Sequence, residues 1–533
     1  MCERRDNGMG KRIRRALPWA VLVLCYLLTV GVMALWGSHN INSDMSSELV
    51  LAQLLNEEGG INSANWYYST ELRTFSHVPV LQLGLRLFPQ NWAAARTFSL
   101  AVLLTLAAAA FIYMGRGAGL RDSAVYAAGL ILLPVSEVHR YLFSLGGGYI
   151  PYVALSALMV GVVLRMPRRR HRLLRLLIAV LLCFWGGLSG VRMPMICGVP
   201  LALACAVEAF GALRRASSLR EAMASEEGVS LLGACVLMAG TMAGFLVNVK
   251  VYSRMYSFDQ YGETMIKQFD VSMFIEQMNR VLAFFGLNTG LPLLSPGAIV
   301  DMAMLAACAL MLLALAAMLL RRDGMSVQEK LLADVTLLAV LLGMFLCGVT
   351  GMMKSFYSAG YYMFGVFLLV LLLLMFIEKR MVCRMPGVRT AAMLAVCAVF
   401  LLEGGSFAHS YMRKEQSEHE DIAAWLVENG YTKGYATFWN GNVLTELSDG
   451  ALELYTYTEW SDEELRTGLQ LKSHLMQPPE GPVFVYVSDY ESYTEEVPCA
   501  MEDRLVHVSD FGARIYVYDS AQEVEELQRT QNQ

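Results

Sequence analysis

The chain has 533 residues, 56% of them hydrophobic, and a mean hydropathy of +0.43. Soluble domains carry about 45–50% apolar residues, and here the excess lies in long runs, which excludes an ordinary soluble globular protein. The net charge of −5 hides a segregation of cations into alternate loops and leaves no basic surplus for a nucleic-acid partner.

Arg4, Arg5, Lys11, Arg12, Arg14 and Arg15 precede the first apolar run, 17–36. That run is too long for a secretory signal and no small-residue cleavage site follows, so it reads as an uncleaved span. Further runs long or apolar enough to count as spans are 92–113, 123–138, 150–166, 173–188, 195–210, 229–249, 298–320, 331–349, 359–377 and 390–402. The expectation is a polytopic α-helical membrane protein of about eleven transmembrane helices. Basic residues mark the inside loops: Arg116 and Arg121, then Arg168 to Arg172, Arg214–Arg215, Arg321–Arg322, and Lys379, Arg380 and Arg384. Residues 1–16 are therefore expected in the cytoplasm of a multi-pass plasma-membrane protein, 17–405 in the membrane domain, and 406–533 outside. Eleven cysteines are mostly small apolar residues of spans. Only Cys499 faces outside in this topology, so no disulfide framework is expected.

The first outer loop, 37–91, carries the main functional clue. Asp44 opens an amphipathic helical pattern eight residues beyond the first span, with Glu48 one turn on. A carboxylate there, near the outer membrane surface, could take a proton from an acceptor while a lipid-linked donor approaches. The competing reading is that Asp44 or Ser43 caps the helix. Glu48 is a second acid candidate, more simply read as solvated. A Gly59–Gly60 break follows, then Asn65-Trp66-Tyr67-Tyr68 and a second apolar piece, 78–88. Such helices can lie in the headgroup region. Trp66, Tyr67, Glu71 and Arg73, with His139, are candidates to line a sugar or acceptor groove; interface anchoring and a Glu71–Arg73 pair explain the first four equally well. The metal is open: a divalent ion would find His39 and His77 near an acid, but no fixed ligand spacing marks a site.

Charged groups at the outer ends of spans are costly and often functional. Arg192, Arg140 and Lys354 are the candidates to bind a donor phosphate, Arg bidentately; snorkelling at a helix end is the plain alternative. A long outer loop, 250–297, is aromatic at first, then amphipathic, then rich in Gly and Pro. The tail alternates a helical pattern at 421–428 with β-rich runs at 434–438, 452–457, 483–487 and 515–518, which predicts a small extracytoplasmic α/β domain. It has no phosphate loop, metal spacing or nucleophile elbow. Residues 434–442 have the aromatic and amide content of a sugar-contacting loop, though a packed strand and turn explain them better.

A cytoplasmic N-terminus, one span, and an acid on an amphipathic helix in the first outer loop resemble the GT-C fold glycosyltransferases. The likeness is to bacterial members akin to the protein mannosyltransferases and the aminoarabinose transferase of lipid A. It covers 17–402 and rests on architecture. The segment Ser358-Ala359-Gly360-Tyr361-Tyr362 is similar to a small-x-Tyr stretch of several members, without their Arg. The pattern Ser43-Asp44-x-x-x-Glu48 departs from the adjacent acid pair common there. The resemblance implies sugar transfer from a polyprenyl-phosphate donor to an extracytoplasmic glycan, lipid or protein, with Asp44 as general base. The rival is a transporter or lipid-linked glycan flippase. Against it, the sequence has no internal repeat and no corresponding pair of Gly/Pro-broken spans. A catalytically inert scaffold is the third class.

Overall fold

Uninterrupted apolar stretches can satisfy their backbone groups in a bilayer only as helices, and the chain folds accordingly. The computed structural model describes residues 8–69, 72, 74–145, 148–258, 271–287, 290–292, 294–350, 358–381, 385–413, 417–465 and 470–530. Among these, eight helices are long and apolar enough to cross a membrane: Arg12–His39, Trp92–Gly117, Pro194–Arg215, Glu226–Arg254, Pro296–Leu320, Val327–Thr350, Ala359–Lys379 and Pro386–Met412. The three remaining runs form shorter helices, Asp122–Leu132, Ile150–Val163 and Arg172–Gly187. In chain order the first five helices are α1 (Gly8–Trp36), α2 (Ser43–Glu58), α3 (Val78–Leu87), α4 (Trp92–Gly117) and α5 (Asp122–Leu132).

The chain divides into two compact units. The first comprises Met1–Gly31, Ala101–Val249 and Glu263–Tyr411. Its central helix, Ala359–Lys379, is buried along its length, with Phe364, Leu368, Leu371 and Leu374 all fully covered. Ion pairs pin helix ends within this unit. Arg322 reaches both Glu208 and Asp334, at 2.8 and 2.7 Å. Glu329 takes Lys379 at 2.5 Å and Arg380 at 2.9 Å. These cations belong to loops that the charge pattern assigns to the inside.

The second unit comprises Val32–Leu100, Lys250–Gly262 and Met412–Gln533. Residues 37–91 and the tail thus share one compact body, where the sequence draws a boundary at residue 406. A three-stranded sheet joins the segments: β1 (Trp66–Tyr68) pairs in parallel with β2 (Ser257–Phe258) and antiparallel with β5 (Leu471–Lys472). The tail's own sheet has the order β4-β3-β6-β8-β7. Its strands are β3 (Lys433–Thr437), β4 (Glu453–Tyr457), β6 (Val483–Val487), β7 (Leu505–Val508) and β8 (Arg514–Tyr518). The first three are mutually parallel and the last two antiparallel. Apolar side chains alternate to both faces, so two cores form. Tyr435, Val485 and Tyr516 lie on one; Ala436, Phe484, Tyr486 and Ile515 lie on the other.

The helix that begins at Ser43 departs from the amphipathic expectation. Both its faces are covered, from Met45 through Ala52 and again at Leu54 and Leu55. It packs against α3 and against the tail helix Phe438–Leu447. Small side chains, Ser43, Ser46 and Ser47, form the side that would otherwise face water and allow this close covering. α3 leaves Leu83 and Leu87 exposed, as it does Phe88 just beyond its end. At Gly84 a Cβ would lie 2.7 Å from the Ala95 carbonyl, so only glycine permits the observed approach of α3 to α4.

Candidate active site

Asp44 occupies the first turn of α2 but is not its cap. That role falls to Asn42, whose side-chain oxygen accepts the Met45 N–H at 3.1 Å. A carboxylate in the first turn is stabilised as an anion by the helix N-terminus. The helix ends where Gly59 takes φ +73°, a left-handed C-cap that glycine adopts without strain. Asp44 therefore stands on a rigid, doubly capped element.

The tail supplies its orienting partner. The Gln470 side-chain N–H donates to Asp44 Oδ1 at 3.1 Å. Its side-chain oxygen accepts a short hydrogen bond from the Ser47 hydroxyl, which also contacts the Asp44 carbonyl at 2.9 Å. Gln470 is buried and its φ is +52°, a left-handed conformation uncommon outside glycine. Such a conformation persists only where the surroundings over-determine it, and it clusters at functional sites. Here Asn442 donates to the Gln470 carbonyl at 3.2 Å.

Glu48 is not solvated: it is 6% exposed, and its Oε2 lies 2.6 Å from Nε2 of the buried His77, the residue preceding α3. One turn from Asp44 on the same helix, Glu48 is held inside the unit, where a carboxylate needs a partner. His39 lies 3.9 Å from a different acid, Glu420. Among the described residues no three His, Cys, Asp or Glu side chains converge as a metal site requires.

A second clamp lies at the start of α4. Arg96 donates to both oxygens of Glu446, at 2.7 and 2.6 Å, and to the Met45 carbonyl at 3.2 Å. Both side chains are buried, and the bidentate geometry is the strong form of the pair. Beside it, the Trp92 N–H donates to Asp449 at 2.7 Å. The clamp ties α2, α4 and the tail helix together, one residue along the chain from Asp44. Arg96, Glu446 and Gln470 carry no sequence motif. Their only signal is type: an arginine and a glutamate amid apolar helical patterns.

The aromatic run divides. Trp66 is 2% exposed and fills the core beneath α2 with Leu49, Leu51 and Leu85, so it lines no open groove. Tyr67 is half-buried on β1. Glu71, Arg73 and Lys354 lie outside the described residues. In the sequence 434–442, Asn440 and Asn442 are inward, while Trp439 is exposed. Asn440 joins Thr437 in donating to the buried Glu491, at 2.9 and 2.5 Å, so this stretch is a packed strand and helix start.

The remaining candidates lie in the first unit. Arg140 is buried, binds both oxygens of Glu137 and lies over the Tyr411 ring at 4.9 Å. Arg192 lies over the Tyr149 ring at 4.7 Å. His139 is buried and stacks on Phe284 at 5.1 Å, with its Nε2 3.1 Å from the Ile131 carbonyl; it is a packed histidine.

No protein-family model matches the chain, and no curated protein is similar to it in sequence. Among solved structures, the apo oligosaccharyltransferase of Archaeoglobus fulgidus matches with a TM-score of 0.50 and 13% identity, over 95% of this chain and 75% of that one. Arabinofuranosyltransferase AftD from Mycobacteria gives 0.49 and 12% identity, over 95% and 40%. ArnT from Cupriavidus metallidurans, bound to undecaprenyl phosphate, gives 0.40 and 12%, over 94% and 97%. At such identities the likeness is one of fold, and the fold is GT-C-like, as the first outer loop implies.

Proposed function

We propose that this chain is an integral membrane glycosyltransferase that moves a sugar from a polyprenyl-phosphate donor to an acceptor outside the cytoplasm. Asp44 is its general base. The observation that carries the reading is the Asp44 carboxylate itself: freed from capping duty by Asn42 and oriented by Gln470 from the tail. A fold shared with an oligosaccharyltransferase supports the reaction class.

The step is a single inverting displacement. The acceptor oxygen attacks the anomeric carbon as Asp44 takes its proton, and the bond from that carbon to the lipid phosphate breaks with its electron pair. The departing phosphate needs cationic stabilisation. Of the cations proposed for it, Arg140 carries Glu137 on its guanidinium. Arg192, which lies over the Tyr149 ring, and Lys354 are the other candidates. Glu48, committed to His77, acts by holding α2 in place rather than on substrate.

The test is incubation of membranes carrying the protein with radiolabelled polyprenyl-phosphate sugars and a membrane extract. Label should pass to an acceptor, and Asp44→Asn should lower the transfer by about 10²–10⁴-fold while leaving insertion intact. Transfer by Asp44→Asn at the unaltered rate removes the base; no transfer by the unaltered protein from any such donor removes the reading.

A further inference from the structure

From Val138 to Val207 the sequence holds no aspartate or glutamate. In the middle of this stretch lie six arginines: Arg165, Arg168, Arg169 and Arg170 between the helices Ile150–Val163 and Arg172–Gly187, and Arg172 and Arg175 in the first turn of the second. Elsewhere in the same unit several cations of helix ends meet carboxylates, as Arg322, Lys379 and Arg380 do. None of these six does so among the described residues; those with polar partners find carbonyls or a neighbouring histidine.

Those contacts make the loop a fixed shape. Arg175 donates to the carbonyls of Arg165, Arg168 and Arg170, at 3.1, 2.9 and 2.5 Å. Arg168 reaches the Gly117 carbonyl at 3.4 Å. Arg165 donates to the Gly161 carbonyl at 2.8 Å and lies 3.7 Å above the Tyr113 ring. Arg116, exposed at the end of α4, adds its charge to the same neighbourhood. Arg168, Arg169 and Arg170 remain exposed around this scaffold. Glu378, on the helix Ala359–Lys379, accepts from the backbone N–H groups of Arg121 and Ser123.

Directly after the arginines the helix Arg172–Gly187 turns an apolar face outward: Leu173, Leu174, Leu177, Ile178 and Leu181 are each at least half exposed. Its opposite face, with Ala179, Cys183 and Gly187, is packed inside. A concentrated positive charge that continues into an uncovered aliphatic strip complements one class of molecule.

We propose that the loop 165–175 is a docking site for the anionic headgroup of a membrane phospholipid, whose acyl chains lie along this strip. A juxtamembrane cluster of this size attracts anionic lipid, each Arg near the surface adding about a fivefold gain in binding. The apolar strip commits the site to a lipid rather than to free phosphate, which has nothing to place there.

The test uses the full chain in detergent micelles. Native mass spectrometry and thermal melts are followed with dioleoylphosphatidylglycerol, dioleoylphosphatidylcholine and inorganic phosphate. Phosphatidylglycerol should be retained and raise Tm, and the other two should do neither. The triple variant Arg169→Gln, Arg170→Gln, Arg172→Gln should weaken phosphatidylglycerol binding about 100-fold, and added salt should have a smaller effect on what remains. Single Arg→Gln variants at the exposed positions 169 and 170 report the same trend if the triple variant does not fold. Equal retention of phosphatidylcholine, an equal Tm rise with phosphate alone, or undiminished phosphatidylglycerol binding by the variants would overturn the proposal.

Discussion

The surroundings of Asp44 and the loop 165–175 balance charge in opposite ways. Around Asp44, each acid or base is met from within: Glu48 by His77, Glu446 by Arg96, Asp44 by Gln470. Around 165–175, among the described residues, guanidinium groups meet carbonyls, a ring and a histidine. A charge satisfied internally fixes geometry, which suits a group that must act on a reacting atom. A charge left without a carboxylate keeps its attraction for something outside the chain.

The largest break in this comparison is Asp44→Asn, which should lower sugar transfer by about 10²–10⁴-fold without changing the melting temperature by more than a surface substitution does. Initial rates on membranes and a thermal melt read the two effects separately. Next, Arg96→Ala should destabilise the second unit by about 3–5 kcal/mol, because it strands the buried Glu446 charge. A double-mutant cycle with Glu446→Gln should return much of that loss; additive losses would mean that the ion pair is incidental.

Gln470→Ala removes one hydrogen bond to the carboxylate, worth about 1.5–3 kcal/mol when the acceptor is charged. Without that donor the carboxylate is less firmly oriented, so the maximal transfer rate should fall while the KM for the donor stays unchanged. An unchanged rate in a variant with a lowered melting temperature would make Gln470 merely structural. The smallest effect belongs to the arginine loop: Arg169→Gln and Arg170→Gln should change stability without lipid by no more than about 0.5 kcal/mol. Chemical reactivity supplies a further check on packing. Burial pushes the Cys499 thiol up to about 12, so at pH 8 it stays protonated and should resist maleimide until the tail unfolds. Rapid labelling of the native protein, read by mass spectrometry, would contradict that packing.

Much of the fold was legible because its signals are local. Every one of the eight long helices coincides with an apolar run, since run length alone decides whether a segment can cross hydrocarbon. Four of the tail's strands fall within a residue of their β-rich runs; β7, with its exposed Val506 and Val508, has no buried alternation to announce it. The site was legible at one residue. Asp44 stands out because an acid just beyond a span is conspicuous, but its partner is 426 positions away in the chain, and no periodicity links such a pair. Glu48 was misread for the same reason: on sequence it faces water, and only the arrival of His77 places it inside.

What the sequence determined by itself was the membrane class, the helices long enough to cross, the basic loops and the α/β character of the tail, all set by hydrophobicity and charge over short windows. Tertiary structure alone decided that residues 37–91 and the tail share one body, that Trp66 belongs to its core, and that Asn42 rather than Asp44 caps the helix. Those outcomes depend on which surfaces cover one another, and for a side chain such as Glu48 or Trp66 the covering surface comes from distant chain.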